Sequence, residues 1–144
     1  MKNLLLKFAL ALAFIGAIII SSCGSSCEVG NYGSVTVKNE TGYKIWVDVT
    51  WGNVVENYEK LLSDGSSYKY TKIPAGSIEI WGAFSTSDWA YNVENLSSCE
   101  NLTYTWYLNK SVSIKGENIL MLRVTDSNDK VIFDGLPSGG NKVK

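Results

Sequence analysis

From residue 34 onward, apolar and polar residues alternate along most of the chain. A period of two predicts strands that bury one face, not helices. Val35 and Val37 alternate with Thr36 and Lys38, and Asn39-Glu40-Thr41-Gly42 supplies turn chemistry. Tyr43, Ile45, Val47, Val49 and Trp51 then alternate with Lys44, Trp46, Asp48 and Thr50. These two runs predict a hairpin with one apolar face, its second strand central to a sheet. From Gly52 to Ser63 the pattern fits either a helical turn or two or a bent strand, and Asp64-Gly65-Ser66 turns the chain. Tyr68 and Tyr70 alternate with Lys69 and Thr71 through Ile73, Pro74-Ala75-Gly76 is a second turn, and Ile78, Ile80, Gly82 and Phe84 share a face. A second hairpin is predicted there.

The stretch from Ser85 to Cys99 is rich in Ser and Asn and reads as a long loop carrying Trp89 and Tyr91. Leu102, Tyr104 and Trp106 resume the alternation. Ile119 to Thr125 is nearly continuous in apolar residues, the pattern of a strand covered on both faces. Asp126-Ser127-Asn128-Asp129 is a turn, Val131 to Phe133 a short last strand, and residues 135–144 a polar tail expected to fray. About seven or eight short strands separated by turns, without an amphipathic helix, predict an all-β fold. The expected architecture is an antiparallel β-sandwich, immunoglobulin-like or related, over residues 34–134.

The segment before residue 34 follows different rules. Lys2 and Lys7 are its only charges up to Cys23, Phe8 to Ile20 is unbroken by any polar side chain, and small residues follow. That is the three-part layout of an export signal. The run is too short for a transmembrane helix, which needs roughly 20 apolar residues. Its end, Ile20-Ser21-Ser22-Cys23, resembles the lipobox of bacterial lipoproteins, usually Leu, then Ala or Ser, then Gly or Ala, then Cys. Ile20 stands for Leu and Ser22 for the small residue before the cut.

The resemblance implies that residues 1–22 are a signal peptide and that Cys23 becomes the first residue of the mature chain. Cys23 would then carry a diacylglyceryl thioether and a further acyl chain such as palmitate on its amine. Two or more acyl chains hold a protein stably at a bilayer without spanning it. Gly24 occupies the position where an Asp retains many lipoproteins at the inner membrane, so the resemblance implies the outer membrane, on its periplasmic face or at the cell surface. Residues 23–33, with three Gly and two Ser in eleven positions, form a flexible tether.

Composition narrows the chemistry. The 144 residues leave one domain's worth of chain after the signal. Thirteen basic and fourteen acidic side chains are interspersed with no basic run, which argues against nucleic-acid binding. There is no His. Triads with a His base and His-ligated zinc or haem are therefore excluded. With Cys23 acylated, Cys27 and Cys99 are too few for a Cys₄ or iron–sulfur site. No cofactor is expected. In an oxidising compartment Cys27 and Cys99 can form a disulfide; the alternative leaves Cys27 unpaired on the tether.

Five Trp and eight Tyr are the remaining unusual feature. On the alternating pattern Trp46 points with Lys44 and Asp48 away from the aliphatic face, and Trp81 points opposite Ile78 and Ile80. If their strands share a sheet, Trp46 and Trp81 make an outward aromatic platform, with Trp89 and Tyr91 reaching over it from the loop. The competing reading covers these rings with neighbouring segments as a second small core. The sequence thus leads to a non-enzymatic, lipid-anchored binding or assembly module, its partner a glycan or an envelope protein. The first alternative is a carbohydrate-binding accessory lipoprotein. A hydrolase with two catalytic carboxylates is the second.

Overall fold

In the computed structural model, residues 30–52, 59–114 and 117–140 are described, together with the side chains of all but 110–114, 117 and 118. The segment expected to be a signal peptide, Cys23 and Cys27 lie outside the described residues. Among the described residues, ten strands form two five-stranded sheets packed face to face, a β-sandwich. The strands are β1 (Tyr32–Glu40), β2 (Ile45–Trp51), β3 (Lys60–Leu62), β4 (Ser67–Pro74), β5 (Gly76–Ala83), β6 (Trp89–Leu96), β7 (Asn101–Ile114), β8 (Glu117–Thr125), β9 (Val131–Gly135) and β10 (Gly139–Gly140). One sheet has the order β4-β1-β7-β8-β9 and the other β10-β6-β5-β2-β3. All pairings are antiparallel except that of β1 with β7, which is parallel from Ser34↔Asn101 to Glu40↔Tyr107.

Alternation fixes which side of each strand is buried. Val35 and Val37 of β1, Ile45, Val47 and Val49 of β2, Ile78 and Ile80 of β5, Tyr104 and Trp106 of β7, and Leu120, Leu122 and Val124 of β8 fill the space between the sheets. Side chains at the intervening positions face outward.

Neither predicted hairpin is one. β1 and β2 lie in different sheets, as do β4 and β5. At the first connection Asn39, fully buried, does the work of a ladder. Its Nδ2 donates to the Tyr43 and Leu62 carbonyls at 2.7 and 3.0 Å, and its Oδ1 accepts from the Thr41 N–H and hydroxyl at 3.0 and 2.8 Å. One side chain thus satisfies the backbone where the chain leaves one sheet for the other. At the second connection only Ala75 separates Pro74 from Gly76, whose φ of 139° lets the chain turn the corner between sheets.

Four further expectations change. Residues 89–96 are not loop but the strand β6, paired with β5 along its full length from Ala83↔Trp89 to Gly76↔Leu96. Strand β8 is not covered on both faces: Leu120, Leu122 and Val124 are buried, while Arg123 points outward and its Nε donates to Asp134 Oδ2 of β9 at 3.0 Å. The tail does not fray at residue 135, because Gly139 and Gly140 pair with Tyr91 and Ala90. Ordered strand also begins at Tyr32, two residues before Ser34. The undecided stretch after Gly52 ends in the short edge strand β3, and residues 53–58 lie outside the described residues.

Candidate functional site

The outer face of the second sheet carries three rows of side chains across its strands. In the first, Trp46 of β2 lies opposite Ala83 of β5 and Leu61 of β3, and Ala83 lies opposite Trp89 of β6. In the second, Asp48 lies opposite Trp81, Trp81 opposite Tyr91, and Tyr91 opposite Gly139 of β10. In the third, Thr50 lies opposite Glu79, and Glu79 opposite Val93. The platform condition is therefore met: Trp46 and Trp81 stand on adjacent, paired strands. Trp89 and Tyr91 belong to the same sheet and do not reach over it from a loop.

Three of the rings are in mutual contact. Trp81 and Tyr91 stack with centroids 4.9 Å apart and planes 27° apart, Trp81 and Trp89 lie at 5.2 Å and 40°, and Trp89 and Tyr91 at 6.1 Å and 26°. Offset stacking at these distances is the favourable arrangement for rings. Rings on adjacent strands that stack in this way stand on edge, so the cluster is a wall and not a flat floor. Tyr91 is backed in turn by Gly139, where a Cβ would lie 2.5 Å from Tyr91 Cε1. Only glycine lets β10 approach so closely.

In front of the wall runs an open groove of about 1470 Å³. It extends along β5, from Pro74 and Ser77 at one end to Ser85 and Thr86 at the other, with Trp46, Asp48, Thr50, Glu59, Glu79, Trp81, Ala83 and Trp89 among its lining residues. Tyr91 does not line it and serves as backing for Trp81. Trp46 is 45% exposed. The backbones carrying Trp46 and Trp89 are two strand spacings apart, roughly 9.6 Å. Ala83 between them is too small to fill that interval. A flat ring sandwiched between two others needs roughly 7 Å, twice a carbon–carbon contact distance.

Three carboxylates line the groove, Asp48, Glu59 and Glu79. Burial raises the pKa of Asp48 above its ordinary value, opposed by the hydrogen bond its Oδ1 accepts from the Val49 N–H at 2.8 Å and reinforced by the charge of Glu59. Sequence reasoning did not single out these acids as a group. The usable signal was the alternation itself, which sets Asp48 beside Trp46 and Glu79 beside Trp81. Trp106 belongs instead to the core, where it is fully enclosed, while Trp51, half-buried, packs against the core margin and also lines the groove. Asp126, at the acidic turn, spends Oδ1 on the Asn128 and Lys130 N–H groups at 2.8 and 3.0 Å. Among the described residues no group of His, Cys, Asp and Glu is arranged to hold a metal ion.

Cys99 lies exposed in the turn between β6 and β7, where its N–H donates to the Tyr32 carbonyl at 2.9 Å, and it is disulfide-bonded. The chain's other cysteines are Cys23 and Cys27. Compared with protein-family models, with curated proteins and with solved structures, the chain matches none.

Proposed function

We propose that this protein is a non-enzymatic binding module of a bacterial cell envelope, anchored by lipid on Cys23 and holding a carbohydrate ligand in the groove of its second sheet. The observation that carries the reading is the set Trp46, Trp81 and Trp89 lining one open groove on an outer sheet face. Monomeric proteins seldom leave large aromatics together at the surface without a partner to cover them. Indole rings meet the apolar faces of sugar rings, and the carboxylates and hydroxyls around them meet sugar hydroxyls.

The anchor rests on the resemblance of Ile20-Ser21-Ser22-Cys23 to a lipobox. The disulfide at Cys99 supports export, because such bonds persist in oxidising compartments. The groove also suits presentation. Tyr32, Ala75 and Cys99 mark the end of the sandwich where the chain enters: the Ala75 N–H donates to the Asn31 carbonyl at 2.7 Å and that of Cys99 to Tyr32. Trp46, Ala83 and Trp89 lie toward the opposite end.

The test has two arms. Cys23→Ala should move the protein from the membrane fraction to the soluble one, and Trp81→Ala should abolish binding on a glycan array. A protein that leaves every glycan unbound, or that stays soluble with Cys23 intact, would refute the corresponding half. The raised pKa of Asp48 beside Glu59 favours a hydrolase as a second reading, since such pairs supply acid and base. Cleavage of a bound oligosaccharide, lost in Asp48→Asn, would establish it.

A further inference from the structure

We infer that the occupant of the groove is a glycan chain bearing ammonium groups, that is, amino sugars with free amines, and that anionic glycans are turned away. This rests on reading the groove as the ligand seat and adds the sign of charge. Asp48, Glu59 and Glu79 line it, while among the described residues no Lys or Arg does. The described cations with assigned partners are engaged elsewhere. Lys60 sits over the Tyr68 ring at 5.1 Å, Arg123 pairs with Asp134 at 3.0 Å on the other sheet, and Lys38 pairs with Glu40. The groove therefore joins three negative side chains to the faces of Trp46, Trp81 and Trp89.

Both features attract a cation. A carboxylate does so by charge, and an indole face does so through its quadrupole, most effectively of the aromatic side chains. A uronic acid or phosphate in the same place would meet like charges at every carboxylate. The volume, about 1470 Å³, exceeds what one small cation or a drug-sized molecule fills, so the charge is carried on a chain.

A basic peptide would satisfy the charge but not the geometry. Extended peptides bind sheets at a free edge, through main-chain hydrogen bonds. The groove lies instead over β2 and β5, which are paired with each other from Trp46↔Ala83 to Trp51↔Ile78. What the face offers is side chains: carboxylates, the hydroxyls of Thr50 and Ser77, and the indoles of Trp46, Trp81 and Trp89. These are partners for a polyhydroxylated sugar ring carrying an amine.

The experiment titrates the full-length chain with glucosamine oligomers, with their N-acetylated counterparts, with galacturonate oligomers and with oligolysine, following tryptophan fluorescence. The glucosamine chain is expected to bind at least about tenfold more tightly than the N-acetylated one, the value of one added cation contact, and galacturonate not at all. Glu79→Gln, a substitution on the outer face, should erase most of that preference by weakening the glucosamine chain far more than the N-acetylated one; Trp81→Ala should weaken both alike. Equal affinity for the two, or binding of galacturonate, overturns the charge assignment and leaves the groove as a glycan seat. Oligolysine binding as tightly as the glucosamine chain replaces the glycan with a basic peptide. Binding of no probe refutes the groove as a seat together with this inference.

Discussion

Gly82 of β5 lies so close beneath the indole of Trp106 in the opposite sheet that a Cβ built on it would stand 2.7 Å from Trp106 Cε2 and 3.0 Å from Nε1. Neither partner has room to give, since Trp106 is fully buried at the centre of β7. Overpacking of this kind costs about 1–3 kcal/mol. Gly82→Ala is therefore expected to lower the melting temperature by several degrees. Trp106→Phe, which also removes an indole N–H that has no partner, should destabilise alone yet relieve part of the Gly82→Ala penalty in the double variant. Strict additivity of the two, measured by denaturant unfolding, would contradict the contact.

This contact also marks how far the sequence could be read. Alternation at Ile78, Ile80, Gly82 and Phe84 put Gly82 on the inner face, and the same rule put Trp46 and Trp81 outside. Inside and outside depend only on local period, which survives any arrangement of strands. Which strand neighbours which does not. Turn residues at Asn39–Gly42 and Pro74–Gly76 announce a reversal, but the same residues serve a hairpin and a crossing between sheets. The crossing is decided by the hydrogen bonds of one buried Asn39 and by a one-residue corner at Ala75. β6 was missed because Asn92, Glu94 and Asn95 interrupt its apolar pattern. Asn92 is nonetheless buried, held by Ser138, whose N–H and hydroxyl donate to its Oδ1 at 3.2 and 2.7 Å. A long-range polar partner of this sort leaves no trace in local sequence.

Asn39 should be among the least replaceable polar residues. Asn39→Ala strips hydrogen bonds from the Tyr43 and Leu62 carbonyls and from Thr41, all close to or within the buried corner. Each buried group left unsatisfied costs about 1–3 kcal/mol. A loss of about 3 kcal/mol or more is expected. Asn39→Asp keeps the acceptor but removes both donations and buries a charge, so it should be no better. A loss below about 1 kcal/mol would mean that the corner holds without this side chain.

Asp48 gives a pH dependence of known sign. Its native pKa is raised above 3.8, chiefly by burial, so the folded chain holds the proton more tightly than the unfolded one. Stability from this group is then greatest at low pH and declines as pH rises from 3.8 through the native value. Asp48→Asn removes the carboxylate and with it the deficit. The variant should melt above the parent at pH 7, and the difference should close as pH falls below 3.8. A variant less stable than the parent at pH 7 would show that the carboxylate is held by favourable contacts that outweigh its burial.

Gly139 supports the groove from behind. An alanine there must push Tyr91 aside or lift β10, because its Cβ would lie 2.5 Å from Tyr91 Cε1 and 2.7 Å from Cζ. Tyr91 stacks on Trp81, so either outcome alters the wall. Gly139→Ala is expected to change the near-ultraviolet circular dichroism of the ring cluster and to weaken ligand binding at the groove, with far-ultraviolet spectra unchanged. An unaltered aromatic signal would show that β10 does not brace Tyr91.

The disulfide gives the anchor a test that needs no membrane. Cys99 is bonded, and only Cys23 and Cys27 can bond it within the chain. A thioether on Cys23 consumes that sulfur, so lipidation requires Cys27 as the partner of Cys99. Non-reducing peptide mapping of protein purified from membranes should therefore find Cys27 joined to Cys99 and an acylated peptide beginning at Cys23. Closing a loop of this length stabilises by roughly 4 kcal/mol in the chain-entropy model, and reduction should lower the unfolding midpoint accordingly. The bond would also draw the start of the sandwich to within a few residues of the bilayer, leaving the Trp46 end of the groove outermost. A Cys23–Cys99 bond in the mapped peptides would rule out the thioether, because one sulfur cannot serve both.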